Sequence, residues 1–308
     1  MDSNTLLKNQ NDIAEPDDKN RSALSWTIIT PSYLPDLERC RMLCKSIDLC
    51  IPEQVDHVLV VDRRDVSAFA PLQTARRKIL AVEDLLPRWI ARFPFARRWW
   101  INLQGIPIRN WVLQQIVKIQ AAASVGSDAV LFVDSDVTFV RPFSPDRLER
   151  NGLVALHRVG FSSEQHSRWL RNAESIIGVS HHDSQINYIG NLVSWRVDVA
   201  KMLIRHLESR HNRHWIHEFT SNWQVAEYMV YGVFAERVLG LDAAGHFVSD
   251  VPFIHLCWNY DLTDSDGMDR FFSDLPMDAV AIMIHSKNGI DPARYMPYLE
   301  DHWRNLGS

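Results

Sequence analysis

Ala129-Val130-Leu131-Phe132-Val133-Asp134-Ser135-Asp136-Val137-Thr138-Phe139 is the stretch that decides the fold. Its first five residues are apolar without alternation, the pattern of a strand buried on both faces of a parallel sheet. The run stops at two carboxylates. In an open α/β sheet, ligands collect at the carboxyl ends of the strands, so a strand that delivers acids to that edge has a use for them.

Upstream, Trp111 to Ser124 shows helical spacing, with Val112, Ile116, Ile119 and Ala123 on one face. Earlier still, Trp26-Thr27-Ile28-Ile29-Thr30 reads as a strand closed by Pro31-Ser32-Tyr33, followed by a helix from Asp36 to Leu49 and a second buried strand, His57 to Val61, ending at Asp62. Repeated strand-helix units predict an α/β fold, Rossmann-like, with a mostly parallel central sheet and flanking helices. Downstream come a strand-helix unit from Asn187 to Glu208, a helix from Thr220 to Tyr231, and a short apolar run, Ala279 to Ile284, ending at His285. Residues 76–111 read as a surface loop, because Pro87, Pro94 and Pro107 interrupt every candidate helix. Residues 1–24 are polar and read as a disordered tail, leaving 25–308 as a single merged domain.

The bulk properties exclude several classes. A net charge of −5 over 308 residues gives no general attraction to nucleic acid. Four cysteines without a CxxC pair make neither a disulfide framework nor a structural zinc site, and Cys40 and Cys44 share an apolar helical face with Leu37 and Ile47, as core residues do. Neither a signal-peptide core nor a membrane-length apolar run is present, so the expected location is the cytoplasm.

Asp134 and Asp136, two apart in a non-helical turn, can converge on one hard divalent cation, Mn²⁺ or Mg²⁺, that bridges a diphosphate. Asp-x-Asp alone more often caps a turn; the buried strand in front of it is what favours the metal.

The segment Val130 to Phe139, followed by Arg141-Pro142-Phe143, resembles the metal-binding segment of glycosyltransferases with the GT-A fold, closest to family-8-type enzymes and their bacterial relatives. The resemblance runs from about residue 26 to 290. It implies a nucleotide-sugar donor, UDP- or GDP-linked, a glycan or lipid-linked acceptor, and a role in bacterial surface glycan synthesis. Further matches follow in order: a helix carrying Lys118, the turn Tyr188-Ile189-Gly190-Asn191 toward the donor sugar, Cys257-Trp258-Asn259, and His285-Ser286-Lys287-Asn288-Gly289. The resemblance makes His285 a third metal ligand and gives Lys118 and Lys287 to phosphate, although here Lys287 precedes Gly289 and Asp291-Pro292-Ala293 replaces the usual Lys-Pro-Trp element. It also implies nucleotide contacts from Thr30, Pro31, Ser32, Tyr33, Asp62 and Ser135, for each of which an ordinary turn or capping role is the plain alternative.

Glu227 and Asp183 are the candidate acceptors of the proton from the incoming hydroxyl. A retaining enzyme could dispense with one, and the resemblance leans that way. Arg92, Arg97 and Arg98 interleave with Phe93, Phe95, Trp99 and Trp100, which fits either peripheral contact with the inner face of the membrane or an acceptor-binding loop. Two other classes compete with the transferase. A sugar nucleotidyltransferase would bring a glycine-rich phosphate loop after its first strand, and Thr30 to Pro35 holds no glycine. A non-catalytic carbohydrate-binding protein could use the 11 tryptophans as stacking surfaces.

Overall fold

The computed structural model describes residues 24–93, 99–161, 163–182, 185–304 and 306. Residues 1–23 of the expected polar tail, Phe95, Arg97, Arg98 and Asp183 lie outside the described residues. Five strands form the central sheet: β1 (Trp26–Pro31), β2 (Asp56–Val61), β3 (Arg77–Ala81), β4 (Ala129–Val133) and β5 (Leu192–Arg196). Their order is β5-β4-β1-β2-β3. The first four strands run parallel, with Ile28 beside His57 and Leu131, and β5 closes the edge antiparallel to β4. This is the mostly parallel sheet with flanking helices that the strand-helix pattern predicts.

The sheet separates two cores, and β4 shows why it needs no polar residue. Val130 and Phe132 enter one core, while Ala129, Leu131 and Val133 enter the other. Alternate side chains of a strand point to opposite faces, so a strand covered on both sides is apolar throughout. On the Phe132 side lie α2 (Asn110–Ser124), α3 (Glu164–Ile177), α4 (Val197–His211) and α5 (Glu227–Val233). On the other lie α1 (Leu37–Cys50), the C-terminal helix Pro292–Arg304, and a three-stranded sheet in which Val137–Phe139 pairs with Ala281–Met283 and the latter with Ile254–Leu256. Burying side chains of this size stabilises the fold by about 1.5–3 kcal/mol each, which fixes the strand ends firmly enough to carry a site. All four cysteines are free and buried, three of them, Cys40, Cys44 and Cys50, on the apolar face of α1.

Two expectations need correction. The described residues of 76–111 are more than a loop: they supply β3 and a small antiparallel sheet, Ile90–Arg92, Trp99–Asn102 and Ile108–Arg109. Arg77 and Lys78 disguise β3, but the Arg77 side chain is buried among partners of its own. The helix expected over Thr220–Tyr231 is broken into Ile216–Thr220 and α5, because Asn222 Oδ1 accepts the Gln224 amide and closes a turn between them. Among the described residues no helix is long and apolar enough to cross a membrane.

Candidate active site at the carboxyl edge of the sheet

The parity of β4 sets the geometry. Asp134 continues the Val130-Phe132 face and meets the buried side of α2, where its Oδ1 lies 3.3 Å from Lys118 Nζ. Lys118 is 5% exposed, and its ammonium also approaches Glu227 Oε1 at 3.3 Å and donates to Tyr228 Oη at 3.0 Å. Burial alone would depress such an amine, but Asp134, Tyr228 and Glu227 hold it well above the ordinary lysine range. The side chain that the sequence leaves open between a solvated lysine and a phosphate ligand is thus an internal cation.

Asp136 turns the other way. Its backbone carbonyl accepts the Ile284 amide at 3.2 Å, and its Oδ2 accepts the Ser286 amide at 3.2 Å, which tie the motif to the segment after Ala281–Met283. Burial, then the neighbouring Asp134, push its carboxyl up to about 6. Asp36, at the start of α1, belongs to the same field. Burial raises its carboxyl against the pull of Arg39 and of a hydrogen bond with the Ser135 side chain, and Asp134 pushes the same way as burial. Sequence reading gave Asp36 no role beyond opening a helix.

Three acids therefore sit in one field, and the protein compensates them only in part. Asp134 Oδ1 is buried yet accepts no hydrogen bond of good geometry, Lys118 being an ionic neighbour only. Carboxylate oxygens kept close and short of donors suit a hard divalent cation, which commonly takes one or two carboxylates and leaves its remaining positions to water and phosphate. The residues present fit Mn²⁺ or Mg²⁺ on Asp134 and Asp136. They fit His285 less well. Its Nδ1 accepts the Lys287 amide at 3.0 Å, which places the proton of the neutral ring on Nε2, and among the described residues no three His, Cys, Asp or Glu side chains group as an ion site. Burial and Lys287 hold the ring neutral, and Trp258 packs on it at 4.9 Å.

Beside the acids opens a cleft of about 490 Å³ between Tyr33, Pro35, Asp36 and Arg39 on one wall and Ser286, Lys287 and Gly289 to Pro292 on the other. Arg39 Nη2 donates to the Ile290 carbonyl at 2.7 Å and Nη1 lies 3.5 Å from Asp36, so this wall is braced from within. Tyr33 and Lys287 are exposed in the cleft. Gly190 and Asn191 arrive at the same edge, because Leu192 pairs with Val133 and the two preceding residues emerge beside Asp134. A side chain at Gly190 would press on the His157 ring at 3.0 Å, which explains the glycine.

Other candidates are placed elsewhere. Thr30 is buried and shares a hydrogen bond of 3.0 Å with His57 Nε2, so its hydroxyl serves the core; Pro31 is also buried. Ser32 is half-buried, its amide bonded to the Val60 carbonyl. Asp62 ends β2 but is taken by Arg92 at 2.9 Å and Arg64 at 3.1 Å. Glu227 is 2% exposed and spent on Lys118, so it does not meet an acceptor hydroxyl; burial raises its carboxyl and Lys118 lowers it. His181 and the His182 amide, next to Asp183, are bound by the buried Glu174.

No curated protein matches the chain. Among solved structures it is similar to an active-site mutant of LgtC, at 13% identity and a TM-score of 0.46, over 91% of this chain and 99% of that one. It is also similar to the apo form of mouse xyloside xylosyltransferase 1, at 8% identity and a TM-score of 0.41, over 87% of this chain and all of that one. A family model matches residues 22–306, and the chain accordingly belongs to DUF6492, a family of unknown function.

Proposed function

We propose that the chain is a glycosyltransferase that moves a sugar from a UDP- or GDP-sugar to a hydroxyl of a glycan or lipid-linked acceptor, with Mn²⁺ or Mg²⁺ on Asp134 and Asp136. The observation that carries this reading is the under-compensated acid pair at the end of a doubly buried strand, beside a cleft lined by Arg39 and Lys287. When bound, the cation supplies charge neutralisation for the departing nucleoside diphosphate. The protein's own groups do the rest. Asp134 is oriented by Lys118, which Glu227 and Tyr228 keep charged and in place. Lys287, exposed at the cleft mouth, meets phosphate oxygen, and Tyr33 offers its ring to the nucleoside. Gly190 and Asn191 border the sugar.

With Glu227 committed to Lys118, the retaining course is favoured, since it can dispense with a dedicated protein base. Asp183 stays the alternative proton acceptor for an inverting course. A panel of UDP- and GDP-sugars with Mn²⁺, read by mass spectrometry, tests the reading. At least one donor is expected to be consumed by wild type and spared by Asp136→Asn. No consumption of any donor, or equal consumption by both proteins, contradicts it.

A further inference from the structure

A patch of half-exposed tryptophans lies beyond the acid site. Trp99 and Trp223 meet edge to face at 6.1 Å, Arg109 stacks on both at 5.3 and 4.1 Å, and Trp111 lies against Trp169 at 6.0 Å with their planes 23° apart. Trp111 is 39% and Trp223 38% exposed. Large indole faces left in water as a group mark a binding surface more often than a core.

The patch is tied to the acid site through the interior of the protein. Trp111 stands two turns before Lys118 on α2, and Gln115 between them donates to the Trp111 carbonyl at 3.0 Å while its Oε1 accepts the Glu227 amide at 3.4 Å. Trp223 precedes Glu227 by four residues in the turn that opens α5. Asn172 of α3 donates to the Gln224 carbonyl at 2.6 Å, which pins this turn beside Trp169. The patch is thus held by the same two elements, α2 and the turn into α5, whose buried residues Gln115, Lys118 and Glu227 form the cluster that orients Asp134.

We infer that Trp99, Arg109, Trp111, Trp169 and Trp223 form the acceptor subsite, and that they take a pyranose ring of a carbohydrate chain. The inference rests on the transferase reading. A pyranose presents C–H bonds of slight positive charge on one face, and the face of an indole is negative, so ring and sugar stack. The guanidinium of Arg109, flat on Trp223, presents N–H groups at its rim for sugar hydroxyls. A lipid surface is the weaker occupant, because it favours several cations spread over one plane. Among the described residues here, Arg109 is stacked and Arg92 is paired with Asp62 over the Trp100 ring.

The test is an array of neutral, amino-sugar and uronic-acid oligosaccharides, followed by fluorescence titration of the best-retained member. Phosphatidylglycerol–phosphatidylcholine vesicles and Mn²⁺-dependent UDP and GDP binding are measured on the same samples. Wild type is expected to retain at least one class, and Trp111→Ala and Trp223→Ala to weaken it at least about tenfold. Trp223→Phe should keep part of the binding, and all variants should keep cation-dependent nucleotide binding, which also shows that they fold. The inference falls if folded wild type retains no oligosaccharide, if the alanine variants bind as tightly as wild type, or if they lose vesicle binding instead. Tryptophan-dependent sugar binding without cation-dependent nucleotide binding would spare this subsite and overturn the transferase reading alone.

Discussion

Two polar clusters are built into the same sheet, and they are finished to different standards. At β2 and β3, the Arg77 guanidinium is 2% exposed and fully engaged: Nε donates to His57 Nδ1 at 2.8 Å, and the two terminal nitrogens reach Asp48 at 2.6 and 3.2 Å and the carbonyls of Cys44 and Leu72. His57 in turn meets Thr30. At the end of β4, by contrast, Asp134 keeps a buried oxygen without a donor and Asp136 is pressed up to about 6. The first cluster is closed and holds the fold; the second sets Asp134, Asp136 and Asp36 in one field, with the Lys118 ammonium shared between Asp134 and Glu227, and stays open. Native proteins satisfy nearly all buried polar atoms, so an open cluster beside a closed one points to a ligand.

That contrast can be broken or sharpened by substitution. The largest effect is expected from Arg77→Met, which leaves His57 and Asp48 without their partner and should cost about 3–5 kcal/mol in urea denaturation. Lys118→Met, which strands the buried Glu227, should cost about 3 kcal/mol, part of it recovered in the Lys118→Met/Glu227→Gln double variant. Asp136→Asn is expected to do the opposite. It relieves like-charge repulsion and should stabilise the metal-free protein by about 1–2 kcal/mol at pH 7, while abolishing the rise in melting temperature that Mn²⁺ gives wild type. An equal loss of stability in Asp136→Asn and Arg77→Met would erase the distinction between the clusters.

The smallest effect is in pH. The Asp136 carboxyl ionises near 6 in the folded chain against an ordinary 3.8, so between these values the folded state binds more protons than the unfolded one. Stability of the metal-free wild type should therefore fall as pH rises from about 5 to 6, by about 1 kcal/mol, and Asp136→Asn should lack that fall. His57 works in the other direction. Burial and Arg77 hold it well below its ordinary value, so its contribution is lost as pH drops below 6.5. Denaturation curves across this range for the two proteins separate the contributions.

How much of this was legible without coordinates follows the range of the forces involved. β4 could be read because burial on both faces writes five apolar residues in a row, and its terminal acids stand out against them. Asp36 could not, since only folding carries α1 beside a motif almost a hundred residues away. The helix that carries Lys118 is legible but the burial of its ammonium is not, because nothing local shows three partners arriving from β4 and α5. The helix of Glu227 lies near the sheet edge, and the same nearness gives its carboxylate to Lys118. β3 was missed because a strand that begins Arg-Lys looks like surface until Asp48 and His57 are seen around it.

The central claim is that the open cluster is completed by a divalent cation carrying a nucleoside diphosphate. Calorimetric titration of UDP and GDP into the protein, with and without Mn²⁺, tests it most directly. Wild type is expected to bind one of the two only with the cation, and Asp136→Asn to bind at least about a hundredfold more weakly, some 2.7 kcal/mol. Equal binding without Mn²⁺, unchanged binding in Asp136→Asn, or no binding to folded wild type would contradict the account.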